Sequence, residues 1–172
     1  FNGTGGFSRD GNEYVINVSE RRQTPLPWSN VIANRNFGTI VTESGPVYTW
    51  AENAHEFRLT PWHNDPISNS SGEAIYLRDE ETGKFWSPTL FPCGSGNYNV
   101  RHGYGYTVYL HEQEGILSEL TIFVDIEESV RFSVLKLTNR SGRKRKLTAT
   151  SYAEWVLGGL RPRSIMHIVS EQ

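Results

Sequence analysis

Hydrophobic and polar positions alternate with a period of two along most of this chain, and stretches with a 3.6-residue period are scarce. Short runs rich in Val, Ile, Thr, Tyr and Phe are separated by Gly, Asn, Asp and Pro, the usual signature of strands and turns. The pattern predicts strands over 13–18, 37–43, 47–51, 74–78, 84–86, 104–111, 116–124, 130–138 and 146–156. Three of the connections read as hairpins: "RDEETGKF", "LHEQEGIL" and "LTNRSGRKRKLT" carry Gly83, Gly115 and Gly142 where a tight turn needs positive φ. Many antiparallel strands joined by short turns predict two stacked sheets with little helix, an all-β antiparallel sandwich.

Two strands bear on which face is buried. In "KLTATSYAEW" one face holds Leu147, Ala149, Ser151, Ala153 and Trp155 and the other holds Thr148, Thr150, Tyr152 and Glu154. That alternation predicts a buried Trp155. In "VRFSVLKL" the apolar side changes after Val134, which predicts either a bulge there or burial on both faces. The segments 94–96 and "FNGTGGFSRDGNE" read as the loosest parts.

Composition sets the class. The chain has 172 residues, 37% of them hydrophobic and 21% charged, which suits one domain with a real core. A formal net charge of −2 gives no field that favours nucleic acid. The single cysteine, Cys93, cannot form an internal disulfide and points to a reducing, cytoplasmic setting. No apolar run approaches the roughly 20 residues of a membrane helix. The chain opens at "FNGTGG" without methionine, so a fragment of a larger multidomain protein is expected. The Asn-x-Ser/Thr triplets at Asn2, Asn17, Asn69 and Asn139 are read as chance, because no secretory signal accompanies them.

Candidate chemistry is sparse. The five histidines are scattered, no His-x-x-x-His or cysteine pair exists, and no metal or cofactor is expected. Neither a G-x-S-x-G elbow nor a phosphate loop is present, and the glycine-rich "NGTGGF" lacks the spacing of a nucleotide fingerprint. Asp79, Glu80 and Glu81 fall on a hairpin tip, where carboxylates are usually solvated; the basic run Arg140 to Lys146 reads the same way. Glu154 is expected to take a paired structural role, since glycoside chemistry needs two carboxylates. Aromatic residues make up 12% of the chain. Those in "WHND", "WAENAHEFR" and "RHGYGY" sit among polar residues able to bind sugar hydroxyls, which singles out Trp62, Arg101 and His102. Core packing is the commoner fate of any one such ring.

Five segments then carry a resemblance. "PWSNVIANRNFGTIVTESGPVYTWAENAHEFRLTPWHNDP", "GEAIYLRDEETGKFWSPT", "RHGYGYT" and "LTNRSGRKRKLT" running on into "ATSYAEWVLG" resemble, in order, the N-terminal β-sandwich of glycoside hydrolase family 94, formerly glycosyltransferase family 36. The wording around "TWAENAHEFRLTPWHNDP" is similar to the cyclic β-1,2-glucan synthase and β-1,2-oligoglucan phosphorylase branch. The resemblance implies a super-sandwich of the galactose-mutarotase type spanning residues 1–172. It implies a non-catalytic domain: the general acid and the phosphate site of these inverting phosphorylases lie in a following α/α barrel. The isolated chain is therefore expected to be inactive. The expected partners are that barrel, a second subunit and a β-glucan oligosaccharide, and the expected location is the cytoplasm or the cytoplasmic part of a membrane-bound synthase. The resemblance also implies an acceptor-side arginine after the "AEW" strand, with Arg161 and Arg163 both matching. A stand-alone carbohydrate-binding module and a purely structural interaction domain are the alternatives.

Overall fold

The structure is a computed structural model and describes residues 2–63, 65, 67, 70–169 and 171. Its strands are β1 (Gly5–Phe7), β2 (Glu13–Ser19), β3 (Ser29–Ala33), β4 (Phe37–Thr42), β5 (Gly45–Ala51), β6 (Glu73–Asp79), β7 (Phe85–Trp86), β8 (Asn97–Gly103), β9 (Tyr106–Gln113), β10 (Ile116–Val124), β11 (Arg131–Asn139) and β12 (Leu147–Ala153). A short helix, α1 (Arg161–Ser164), and a 3-10 turn (Ile165–His167) follow. All pairings are antiparallel, as the alternation predicts.

One large sheet runs in the order β1-β2-β8-β9-β10-β11, and two small ones run β3-β4-β5 and β12-β6-β7. The small sheets form the second layer. Ile16, Val18, Tyr98, Val100, Tyr109, Leu120 and Ile122 of the large sheet pack against Ile32 of β3 and Val41 of β4. Toward the other end, Ile116 and Leu135 pack against Leu77 and Trp86 of the β6–β7 hairpin. Strand β10 shows why period two builds such a core: Ile116, Ser118, Leu120 and Ile122 are buried, and the residues between them are not. Each fully buried aliphatic side chain contributes about 1.5–3 kcal/mol.

Polar groups lock the layers in register. Asn30 donates through Nδ2 to the carbonyls of Gly103 and Tyr106, both at 3.0 Å, and so holds the β8–β9 turn. Asn34 does the same for the 125–128 turn, at 2.9 and 2.8 Å. The phenol of Tyr109, fully buried, donates to the Thr42 carbonyl at 2.6 Å. These contacts explain the polar residues spaced through "SNVIANRN".

The hairpin glycines adopt the expected left-handed conformation, with φ of +71° at Gly83, +73° at Gly115 and +72° at Gly142. Other expectations change. Gly105, φ +80°, is a turn residue, so the predicted strand 104–111 begins at Tyr106, and β8 precedes it. Strands β1 and β3 form where the sequence reads as loop, and β1 lies inside the segment taken as loosest. The β10–β11 register runs unbroken from Ile116↔Asn139 to Val124↔Arg131, so no bulge exists at Val134; the register shift occurs instead between Ile40 and Val41.

The largest correction concerns Trp155. The last strand ends at Ala153, and Trp155 is 49% exposed. Strand β12 lies at the edge of its sheet, and Ala149, Ser151 and Tyr152 are all exposed. Alternation correctly separates two faces there, but neither is deeply covered. Strand β11 is likewise an edge, with Phe132, Val134 and Leu137 each more than a third exposed.

Candidate functional site

A recess is built by the chain after β12. Val156 donates its N–H to the Leu59 carbonyl and Gly158 to the Arg58 carbonyl, both at 2.9 Å, while Leu59 donates to Thr49 of β5 at 2.9 Å. The 58–59 segment is thus clamped between β5 and residues 156–158. Leu157, with φ of +50°, and the two glycines after it turn the chain back into α1, where Ser164 Oγ donates to the Val156 carbonyl. A cleft of about 650 Å³ results, lined by His55, Glu56, Arg58, Leu160, Arg163 and His167.

The two arginines of α1 differ. Arg161 is ion-paired with Glu154, the structural role expected of that carboxylate. Arg163 lines the cleft beside Arg58. His55 Nδ1 lies 2.6 Å from Glu56 Oε1, which turns the one acidic group of this wall toward a local partner. Planar guanidinium donors on an open wall suit vicinal hydroxyls or an anion.

A second recess, about 270 Å³, lies on the outer face of β3-β4-β5. Trp62 lines it with Leu26, Ile40, Val47, Ser29 and His63. Behind Trp62 the Tyr48 ring sits 5.1 Å away, and Trp50 stacks on Tyr48 at 5.2 Å. Gly38 makes room for this row, because a Cβ there would approach the Trp50 ring to 2.2 Å.

Arg101 and His102 are neighbours on β8 and face opposite sides of the sheet. Arg101 lies 3.5 Å from Glu13. His102 is turned inward, with Nε2 3.0 Å from the Trp28 carbonyl and Nδ1 2.9 Å from Thr107 Oγ1. Burial pulls its pKa below the usual histidine value. Both ring nitrogens are engaged within the fold, and neither residue lines the two recesses described.

The buried carboxylates are consumed by the fold as well. Glu43 accepts from Thr24 Oγ1 at 2.5 Å and from the Trp28 N–H at 2.8 Å, and burial pushes its pKa up. Glu73 accepts from Thr49 and Thr60 and pairs with Arg131. Asp79, read from sequence as a solvated tip, is fully buried, and the side chain of its partner Arg145, from the run read as a solvated tip, is 3% exposed. Among the described residues no group of three or more His, Cys, Asp or Glu could hold a metal ion. Asn2 and Asn139 use their side chains in local hydrogen bonds, Asn17 accepts across the sheet from Asn99 Nδ2, and Asn69 lies outside the described residues. Sequence reasoning marked "WAENAHEFR", which holds His55, Glu56 and Arg58, by its composition but singled out none of the three, because the clamp joining 58–59 to 156–158 pairs segments nearly a hundred residues apart. No helix among the described residues is long and apolar enough to cross a membrane.

This geometry supports ligand contact from two recesses and leaves every buried carboxylate engaged. The comparisons agree on what kind of domain it is. Residues 12–172 match the family model described as "Glycosyl hydrolase 94, supersandwich domain". The chain is 38% identical, over 99% of its own length, to the cyclic beta-(1,2)-glucan synthase NdvB of Rhizobium meliloti (strain 1021) and covers 6% of that protein. It is 30% identical over 97% of its length to the N,N'-diacetylchitobiose phosphorylase of Vibrio furnissii, covering 20% of it. It is 31% identical over 91% of its length to the solabiose phosphorylase of Paenibacillus borealis, covering 21% of it. The chain therefore spans about a fifth or less of these relatives, and the antiparallel layers, the clamped recess and the matched residues lead to one assignment: it belongs to the glycosyl hydrolase 94 family, as its supersandwich domain.

Proposed function

We propose that this domain is the non-catalytic sandwich of a β-glucan phosphorylase or cyclic β-1,2-glucan synthase, and that it lends Arg163 to the acceptor side of a site completed by a catalytic barrel. The relatives, a glucan synthase and disaccharide phosphorylases, support a β-glucoside as substrate of the whole protein. The observation that carries the assignment to Arg163 is the contrast within α1: Arg161 is held by Glu154, and Arg163 lines the cleft with Arg58. Chemistry on the glucoside belongs to the barrel, where phosphate attacks the anomeric carbon as an acid protonates the leaving oxygen. Arg163 orients the acceptor hydroxyls for that step. A location on the cytoplasmic side fits a chain whose one cysteine, Cys93, is partly buried.

Steady-state kinetics of the full-length enzyme test this. In the synthetic direction Arg163→Ala should raise the KM for acceptor sugar more than that for glucose 1-phosphate. Arg161→Ala should act through stability and leave the ratio of the two unchanged. Equal KM values for wild type and Arg163→Ala, for both substrates, would refute the acceptor role.

A second reading, docking of the sandwich on the barrel or a second subunit, is supported by a specific observation. Phe132, Val134, Tyr152 and Trp155 are each between 41% and 53% exposed on the two edge strands and just after them. Apolar groups so placed are suited to a covering partner. The two readings are compatible.

A further inference from the structure

We propose that the recess beside Trp62 is a separate saccharide subsite, which holds a glucosyl unit of a β-glucan chain apart from the acceptor cleft at Arg163. The choice of glucan as ligand rests on the reading given under Proposed function; the site itself rests on geometry.

Four features converge. The volume, about 270 Å³, lies just below the usual range for drug-sized ligand pockets and suits one sugar ring. Its floor is apolar, from Ile40 and Val47. Its wall is Trp62, which Tyr48 backs at 5.1 Å; Tyr48 itself is only 3% exposed, so the indole is supported from the core side. Its rim is polar, with Ser29 and His63 both exposed. A sugar ring needs these together: a flat apolar surface for its C–H face and hydroxyl partners at the edge. Leu26, 58% exposed, extends the apolar wall outward, which suits a ligand longer than one ring.

The recess is also distinct from the cleft. The cleft wall carries Arg58 and Arg163, whereas among the described residues the recess is lined by no arginine or lysine and does carry Asp65. A neutral oligosaccharide suits the second site better than an anion does. Two such sites on one domain would hold a growing or shortening chain at two points and raise its effective concentration at the barrel.

The test is a titration of this chain with sophorose and longer linear β-1,2-gluco-oligosaccharides, read by the indole N–H resonance of Trp62. The resonance should move and saturate. Ser29→Trp fills the recess without removing any packing and should abolish the shift. Trp62→Phe keeps a ring against Tyr48 but removes the indole probe; followed by isothermal titration calorimetry, it should weaken binding by up to about ten-fold, the equivalent of one ring stack. Arg163→Ala should leave the titration with sophorose, too short to bridge the two sites, unchanged, which separates this site from the acceptor role tested by kinetics. A Trp62 resonance that stays still up to the solubility limit of the sugar, or that moves equally in Ser29→Trp, would overturn the proposal.

Discussion

Asp79 and Arg145 form an ion pair out of contact with solvent: their side chains are 0% and 3% exposed, and the guanidinium Nε lies 2.9 Å from Oδ2. The pair ties the end of β6 to the turn before β12, two segments 66 residues apart in sequence. The same carboxylate accepts N–H groups from Glu81 at 2.8 Å and Thr82 at 3.2 Å and so shapes the β6–β7 hairpin.

This arrangement makes a pH prediction. Burial pushes the Asp79 pKa up, but the backbone N–H groups and Arg145 outweigh it and hold the carboxyl below its ordinary 3.8. A depressed carboxylate stabilises the fold fully above about pH 4 and loses that contribution as pH falls through the folded value. Asp79→Asn should lower the melting temperature at neutral pH and flatten the acid limb of the stability profile. An acid limb as steep as wild type would show that other carboxylates set it.

His102 predicts a second, milder dependence. Burial depresses its pKa below 6.5, so the native state keeps it neutral where the unfolded chain would already be protonated. Its contribution is full above about pH 6.5 and is lost as pH falls through the folded value. Titration by NMR should place the His102 midpoint below the ordinary histidine value of about 6.5. A coincident midpoint would mean that the ring is solvated.

The two tryptophans Trp86 and Trp155 should behave oppositely. Trp86 is fully buried, and Trp86→Ala should cost about 3–5 kcal/mol. Its indole N–H has no hydrogen-bond partner among the described residues, so Trp86→Phe should recover much of that loss. Trp155→Ala should cost under about 1 kcal/mol in the isolated chain, because half of the side chain already meets water. Chemical denaturation of the three variants checks the order.

Glu73 and Arg131 join β6 to β11 across the layers, with Thr49 and Thr60 satisfying the carboxylate at 2.8 and 2.9 Å. Stranding one member of a buried pair costs up to about 3–5 kcal/mol. Glu73→Gln and Arg131→Met should each destabilise, with the effect of Arg131→Met smaller because that side chain is 21% exposed and Glu73 only 4%. The double variant should be more stable than the sum of the two losses predicts. Strict additivity in denaturant melts would show that the pair is not coupled.

Much of this protein was determined by local pattern. Period-two alternation is a property of the strand itself, so β2, β4, β5, β6, β10 and β11 could be placed from side chains alone. The turn glycines were equally legible, since positive φ is a single-residue constraint. Glu154 could be expected in a structural pair because a lone carboxylate lacks the partner that glycoside chemistry requires, and Arg161 pairs with it.

Burial of a whole face was left to the tertiary structure. Trp155 and Trp86 are the same residue type, and each lies in or beside a strand of one sheet, yet one is half in water and the other fully dry. What separates them is not the edge, since β7 and β12 are both edge strands, but what covers them: Trp86 sits opposite Ile116 of the large sheet, and Trp155 lies past the end of β12, outside both buried clusters. The same reason hid Asp79 and Arg145, whose charges read as a solvated tip until the β12 pairing buried them together. The cleft, too, exists only because 58–59 and 156–158 hydrogen-bond across nearly a hundred residues. Alternation tells which side chains share a face; only the stacking of layers and the end of a sheet decide whether anything covers it.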